Sequence, residues 1–243
     1  DYCRRLGVGT SDQEINDLAN TLMKIPPEHP LAPLLGKSAD FRTRAGLADA
    51  LLNPQDRSYT VPQLFDSLDQ ADLHFGRWLR QASYLSACGA IGDTPHGPRL
   101  QEREPREEYA LMELLRGNMV RHNAIVYRDR TVRDLQTIPF ASEAWLDLKP
   151  IRSPGTLSVE ENVPPDAAAV LINPSHTDPD LFLPIDFARK QLVDAIDGER
   201  TIAEIMGANG IEIGSQRDQD RIREFFKRLW LYDQVVFDAS SIK

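Results

Sequence analysis

Residues 51–80, LLNPQDRSYTVPQLFDSLDQADLHFGRWLR, constrain this chain more than any other stretch, because a helix start, a helix face and a strand follow one another within it. Thr60 and Gln63 have capping-box spacing, in which a hydroxyl and a side-chain amide each satisfy a free backbone N–H at the start of a helix. Tyr59, just ahead of the cap, is placed to staple onto Leu64. Val61, Leu64, Phe65 and Leu68 then recur at i, i+3, i+4 and i+7, which predicts one apolar helix face. Residues 73–78 follow with the β-prone Phe75 and Trp78, predicting a strand directly after the helix. The whole reads as the tail of an α/β unit.

At 243 residues, the chain is long enough for one large or two modest domains. It carries 28 Lys and Arg against 37 Asp and Glu, a net charge of −9. A phosphate-binding surface needs cations to displace counterions, so no nucleic-acid partner is expected. Cys3 and Cys88 lie too far apart for a zinc or redox pair, and a reducing cytoplasm is the simplest setting. No apolar run approaches the roughly 20 residues of a membrane helix, and no signal-peptide pattern opens the chain, so no membrane partner is expected.

The first seven residues, DYCRRLG, read as the end of a helix, with basic residues in the last turn and Gly7 as the cap. A chain that opens this way, without Met, is expected to begin inside a larger protein. Ser11 or Asp12 caps a second helix with Ile15, Leu18, Ala19 and Leu22 on one face, and the prolines of residues 25–35 predict an extended connector. A further helix is expected around residues 41–52. Residues 81–101, rich in Gly and Pro, read as a loop. Pro105 then starts a helix with Tyr109, Leu111, Met112, Leu114 and Leu115 on its core face and Gly117 or Asn118 at its end. Residues 122–128, HNAIVYR, read as a strand beside the first.

Residues 131–180 are rich in proline, and their second part, 151–180, holds one basic and five acidic residues. A linker over the surface is predicted, with a short strand at residues 168–172. Helical signal returns at Leu181: Ala188, Leu192, Ala195 and Ile196 share a face, Thr201 and Glu204 form a second capping box, and Ile222, Phe225, Phe226, Leu229 and Trp230 line a third helix. Residues 235–237 predict a final strand. Three helices and a strand suggest a small, mostly α, winged-helix-like domain over 181–243.

Residues 51–80, with the helix and strand YTVPQLFDSLDQADLHFGRW, taken together with residues 107–128, resemble the C-terminal part of class I S-adenosylmethionine-dependent methyltransferases, over roughly half the chain. The resemblance implies an α/β fold: a partial Rossmann-like sheet with a helical substrate-side segment, together spanning 1–130, ahead of the 131–180 linker and the 181–243 domain. The family's glycine-rich cofactor turn and the acidic residue that holds the ribose have no counterpart here; Gly7-Val8-Gly9 sits at a helix end. S-adenosylmethionine is therefore expected to bind mainly to an upstream half, and this chain alone is not expected to be active. IDGERTIAEI and FFKRLWLYDQVVFD resemble small winged-helix modules of the PqqD type. Residues 181–243 hold nine basic and eleven acidic residues, so protein contact is favoured over a DNA groove.

Asn53, Arg57 and Tyr59, in the polar loop with Asp56 ahead of the helix, are the substrate-binding candidates that the resemblance implies. Arg57 is suited to orient an anion and Tyr59 to stack or hydrogen-bond. A plainer reading stays open: an Asn53-Pro54 turn, Arg57 paired with Asp56 or water, and Tyr59 stapling the helix. His74 and His122, on predicted strands, are open to general-base and to structural readings. His29, His96 and His176 lack partners at ligand spacing, so no metal is expected. Cys88 has no basic sequence neighbour to lower its pKa, which disfavours a nucleophilic role. The alternating charges of residues 99–108 read as a solvated helix start.

Two functions follow. One is the downstream, substrate-recognition or regulatory portion of a methyltransferase, partnered by its upstream half or another subunit. The other is a non-catalytic protein- or peptide-interaction module built around the C-terminal domain. A sheet lacking its neighbours would expose an edge, which makes a homodimer a further expectation.

Overall fold

The computed structural model describes residues 2–29, 31–135, 138–211 and 216–240. It is a mixed α/β structure with small antiparallel sheets, divided into two compact units, residues 1–59 and 60–243. The boundary falls at the capped helix start and not at the expected linker. No helix among the described residues is long and apolar enough to cross a membrane.

The first unit is helical: α1 (Tyr2–Leu6), α2 (Asp12–Leu22), α3 (Ala32–Lys37) and α4 (Arg44–Leu52). Asp1, where the sequence reading starts its first helix, lies outside the described residues. Ser11 caps α2 by accepting the Glu14 N–H, and the Glu14 carboxylate reaches back to the Gly9 N–H at 2.9 Å. Cys3, Ile15, Leu18 and Leu47 form its buried core. The stretch expected to be extended carries α3, because Pro33 sits in the first turn, where its missing N–H costs nothing.

The second unit opens with α5 (Val61–Gln70), whose capping box is formed as expected, followed by β1 (His74–Trp78). After α6 (Gly97–Gln101) and α7 (Pro105–Arg116) comes β2 (Ala124–Tyr127), which pairs antiparallel with β1. The register slips between Phe75 and Arg77. At the slip, Gly76 lets the Tyr127 ring approach, since a Cβ there would lie 2.5 Å from the ring. Val61, Phe65, Leu68, Trp78 and Tyr84 make the core of this part, and the Trp78 and Tyr84 rings stack at 4.0 Å. On α7 only Met112 is fully buried; Leu114 and Leu115, expected to face the core, are 77% and 55% exposed.

The remainder runs α8 (Arg130–Leu135), β3 (Lys149–Arg152), β4 (Leu157–Val159), β5 (Ala169–Ile172), β6 (Phe182–Ile185), α9 (Phe187–Asp194), α10 (Ile202–Ala208), α11 (Gln216–Leu231) and β7 (Val235–Asp238). β3 pairs with β7, and β4, β5 and β6 form a meander, all antiparallel. The proline-rich stretch expected to be a surface linker is thus built into the fold. Trp145, Leu148, Ala169 and Leu171 are fully buried in the same core as Ile202, Ile205, Phe226 and Leu229. The C-terminal helices lack enough apolar partners among themselves, and the preceding strands complete their core; each large side chain buried this way contributes roughly 1.5–3 kcal/mol. On α9, Val193 is buried where Ala188 was expected, and Ala188 is exposed.

Candidate functional site

Asn53, Arg57 and Tyr59 lie at the end of the first unit. Asn53 ends α4, and its side-chain oxygen accepts the Gln55 N–H at 3.0 Å, as an Asx turn does. Asp56 N–H donates to the Asn53 carbonyl, and the Arg57 guanidinium lies 5.3 Å from the Tyr59 ring centre. Arg57 and Tyr59 are brought together; Asn53 is engaged in its own turn. All three are exposed.

Among the described residues a dense set of buried polar side chains lies around residues 77–90, most of which the sequence presents only as an irregular loop. Gln81–Tyr84 and Ala90–Asp93 form tight helical turns, and Gln81, Ala82, Ser83 and Tyr84 are all buried. A buried backbone outside a sheet needs partners for its N–H and C=O groups. Three carboxylate groupings supply much of that need.

Asp233 is the first. It sits between α11 and β7 in the left-handed region, at φ 54°. Its carboxylate accepts the Ala82 N–H, an Arg77 N–H and a His176 ring nitrogen, at 3.0, 3.0 and 3.1 Å. Its backbone carbonyl accepts from the Asn173 amide at 2.7 Å. The Arg77 guanidinium also lies 5.1 Å from the Trp230 ring centre. Burial pulls the pKa of Arg77 down, with Asp233 opposing that pull.

Asp178 and Asp180 form the second. The Ser83 hydroxyl and the Asn118 amide donate to Asp178 at 2.8 and 2.7 Å. Arg116 donates to Asp180 at 3.0 Å and to the Ser83 carbonyl at 2.9 Å, and it approaches Asp178 at 3.4 Å. Asp180 also accepts the Ala90 N–H. Partial burial raises its pKa, but Arg116 and the backbone donors outweigh burial and leave the carboxyl below its ordinary range.

The third grouping lies on α7. Glu108 accepts both the Ser86 N–H and its hydroxyl, at 2.9 and 2.6 Å. Glu113 accepts the Val61 N–H, in the first turn of α5, at 2.8 Å, and pairs with His122 Nε2 at 3.2 Å; His122 Nδ1 meets the Tyr84 hydroxyl at 2.8 Å. His122, expected on a strand, precedes β2 and bridges a helix and a turn. Burial pushes the Tyr84 hydroxyl pKa well up, and that of Tyr109 up to about 12.

A His–Asp pair can orient an imidazole as a base, provided that its second nitrogen faces a substrate. The His176 side chain is 2% exposed, and its Nδ1 is buried with no partner among the described residues. The Ser83 hydroxyl engages Asp178, not Asp233, so hydroxyl and imidazole are not in series. Cys88 is fully buried, its Sγ 3.7 Å from the Leu231 carbonyl; burial and the nearby Asp233 push its pKa far up. These groups act as internal fasteners of the 77–90 segment.

Arg77, Arg116, Asp178, Asp180 and Asp233 carry no motif, and His176, which sequence spacing left without a partner, finds one 57 positions away. The available signal was weak: polar residues set between apolar ones in HFGRWLRQASYLSACG and WLYDQVV. Among the described residues no group of three or more His, Cys, Asp or Glu is arranged to hold a metal ion. No family model matches the chain.

Proposed function

We propose that this chain is the downstream, substrate-recognition or regulatory portion of an S-adenosylmethionine-dependent methyltransferase, with the cofactor held by an upstream half. In this reading α5, β1, α7 and β2 are the late part of that family's sheet, and residues 181–243 with their added strands are a winged-helix-like module. The reading rests first on the resemblance of residues 51–80 and 107–128. The structural observation that supports a non-catalytic role within it is the commitment of the ionisable groups: Asp233, Asp178, Glu108, Glu113, His122 and His176 all hold the 77–90 segment and its neighbours. Buried polar groups whose hydrogen bonds are made within the fold hold backbone in place and do not face a ligand.

The partner reading follows from the sheet. Among the described residues β1 and β2 pair only with each other, so each offers one unpaired edge. An upstream strand or a second copy would cover such an edge. A well-behaved monomer in size-exclusion chromatography would count against the second copy.

Calorimetry with S-adenosylmethionine tests the main reading. The expected result is no binding by residues 1–243 alone and binding once the upstream sequence is restored. Micromolar binding by the isolated chain would overturn the division of labour. Restored sequence that still binds no cofactor would favour a stand-alone protein-interaction module.

A further inference from the structure

We propose that the cleft beside α9 and α11 docks an extended peptide bearing carboxylates at alternate positions, gripped by Arg217 and Arg221. The cleft is an open depression of about 320 Å³, lined by Arg189 of α9 and by Arg217, Asp220, Arg221, Glu224, Phe225 and Arg228 of α11. Four cations face two carboxylates there, in a chain whose net charge is −9. The proposal does not depend on the methyltransferase reading.

The neighbouring ion pairs isolate two of the cations. Asp220 is taken by Arg223 at 2.5 Å and by the Gln216 amide at 3.1 Å, and Glu224 is approached by Lys227 at 3.6 Å. Arg189 is held by Asp186 at 2.7 Å and lies 5.7 Å from the Phe225 ring centre. The Arg228 guanidinium lies 5.8 Å from the Tyr232 ring centre. Arg217 and Arg221 are exposed and make no ion pair with any described residue. Their guanidinium forks are open to bidentate bonding with a carboxylate.

Spacing selects the ligand. Arg217 and Arg221 are one turn apart, about 6 Å along the helix axis. Alternate residues of an extended peptide project to the same side about 6.6 Å apart. An acidic–neutral–acidic segment therefore meets both forks in register, with the residue between directed away from the helix. A nucleic acid fits less well. Its charge is continuous along the backbone, whereas Asp220 and Glu224 interrupt the positive stripe and would repel it.

Fluorescence anisotropy on the full chain tests this with a fluorescein-labelled peptide of alternating glutamate and alanine. Comparison probes are a peptide of equal composition with its glutamates contiguous, and a labelled single-stranded oligonucleotide. The expected result is binding of the alternating peptide, at least tenfold weaker in R217A/R221A, several-fold weaker in R217K/R221K, and unchanged in R103A. Both Arg positions are exposed, and an unchanged melting temperature would confirm that folding is intact. Failure of the wild-type chain to bind the alternating peptide overturns the proposal. So does equally tight binding of either comparison probe, which needs no variant to fold.

Discussion

The Nε2 atom of His176 lies 3.1 Å from Oδ2 of Asp233, and both side chains are almost fully buried. The same carboxylate receives Arg77 from the end of β1 and the N–H of Ala82 from the turn that follows. One side chain at the end of α11 thereby joins segments more than 150 positions apart.

Removing that carboxylate should be costly. Asp233→Ala leaves Arg77 without its counter-charge and the buried Ala82 N–H without its side-chain acceptor, and places Ala at φ 54°. A loss of about 3–5 kcal/mol in urea unfolding is expected, the range for breaking a buried charge pair. Asp233→Asn keeps an acceptor and tolerates the left-handed backbone, so its loss should be smaller. A change below about 1 kcal/mol for the alanine variant would refute the fastening role.

Acid should loosen the Asp180 contact. Its folded pKa lies below the ordinary 3.8, so the unfolded chain binds the proton more readily. The stability it contributes is complete above the unfolded value and is lost as pH falls through the folded one. Asp180→Asn should therefore flatten the dependence of the urea midpoint on pH below about 4, relative to the parent chain. Parallel curves for the two proteins would show that Asp180 is not the group titrating.

Gly89 has φ 75°, and a Cβ there would collide with the Asp180 carboxylate. Gly89→Ala should cost about 2 kcal/mol, combining left-handed strain with displacement of that carboxylate. A double-mutant cycle with Asp180→Ala isolates the collision. Additive losses would place the whole cost in the backbone.

The Cys88 thiol is fully buried and held in its neutral form. In a Cys3→Ser background, labelling by a disulfide reagent at pH 8 should proceed only through opening of the second unit, far slower than in denaturant. Adding sub-denaturing urea should raise the rate. Immediate stoichiometric labelling of the native protein would overturn the packing described for residues 85–90.

Local rules carried the sequence reading where the interactions span a few residues. The capping boxes at Thr60 and Thr201 formed, and strands appeared at residues 74–78, 169–172 and 235–238, because hydroxyl, amide and β-prone side chains act on their immediate backbone. Periodicity was less decisive. Met112, Leu114 and Leu115 were all expected on the core face of α7, yet only Met112 is fully buried, and α7 uses Glu108, Glu113 and Arg116 to hold the 81–90 turns. Nor did proline content mark a linker: Trp145 and Leu148 supply apolar surface that the C-terminal helices require.

What the sequence determined by itself was part of the content of the elements: the helices and strands with strong local signals, where two of the helices start, and a chain with an acidic balance, whereas α3, α6, β3, β4 and β6 were not legible in it. Only the tertiary structure decided that residues 77–90 are the polar centre of the second unit. The reason is one of distance along the chain. Arg77, Ala82, His176 and Asp233 satisfy one another only when strand, turn, loop and helix end meet, and no local pattern in any of the four segments encodes that meeting.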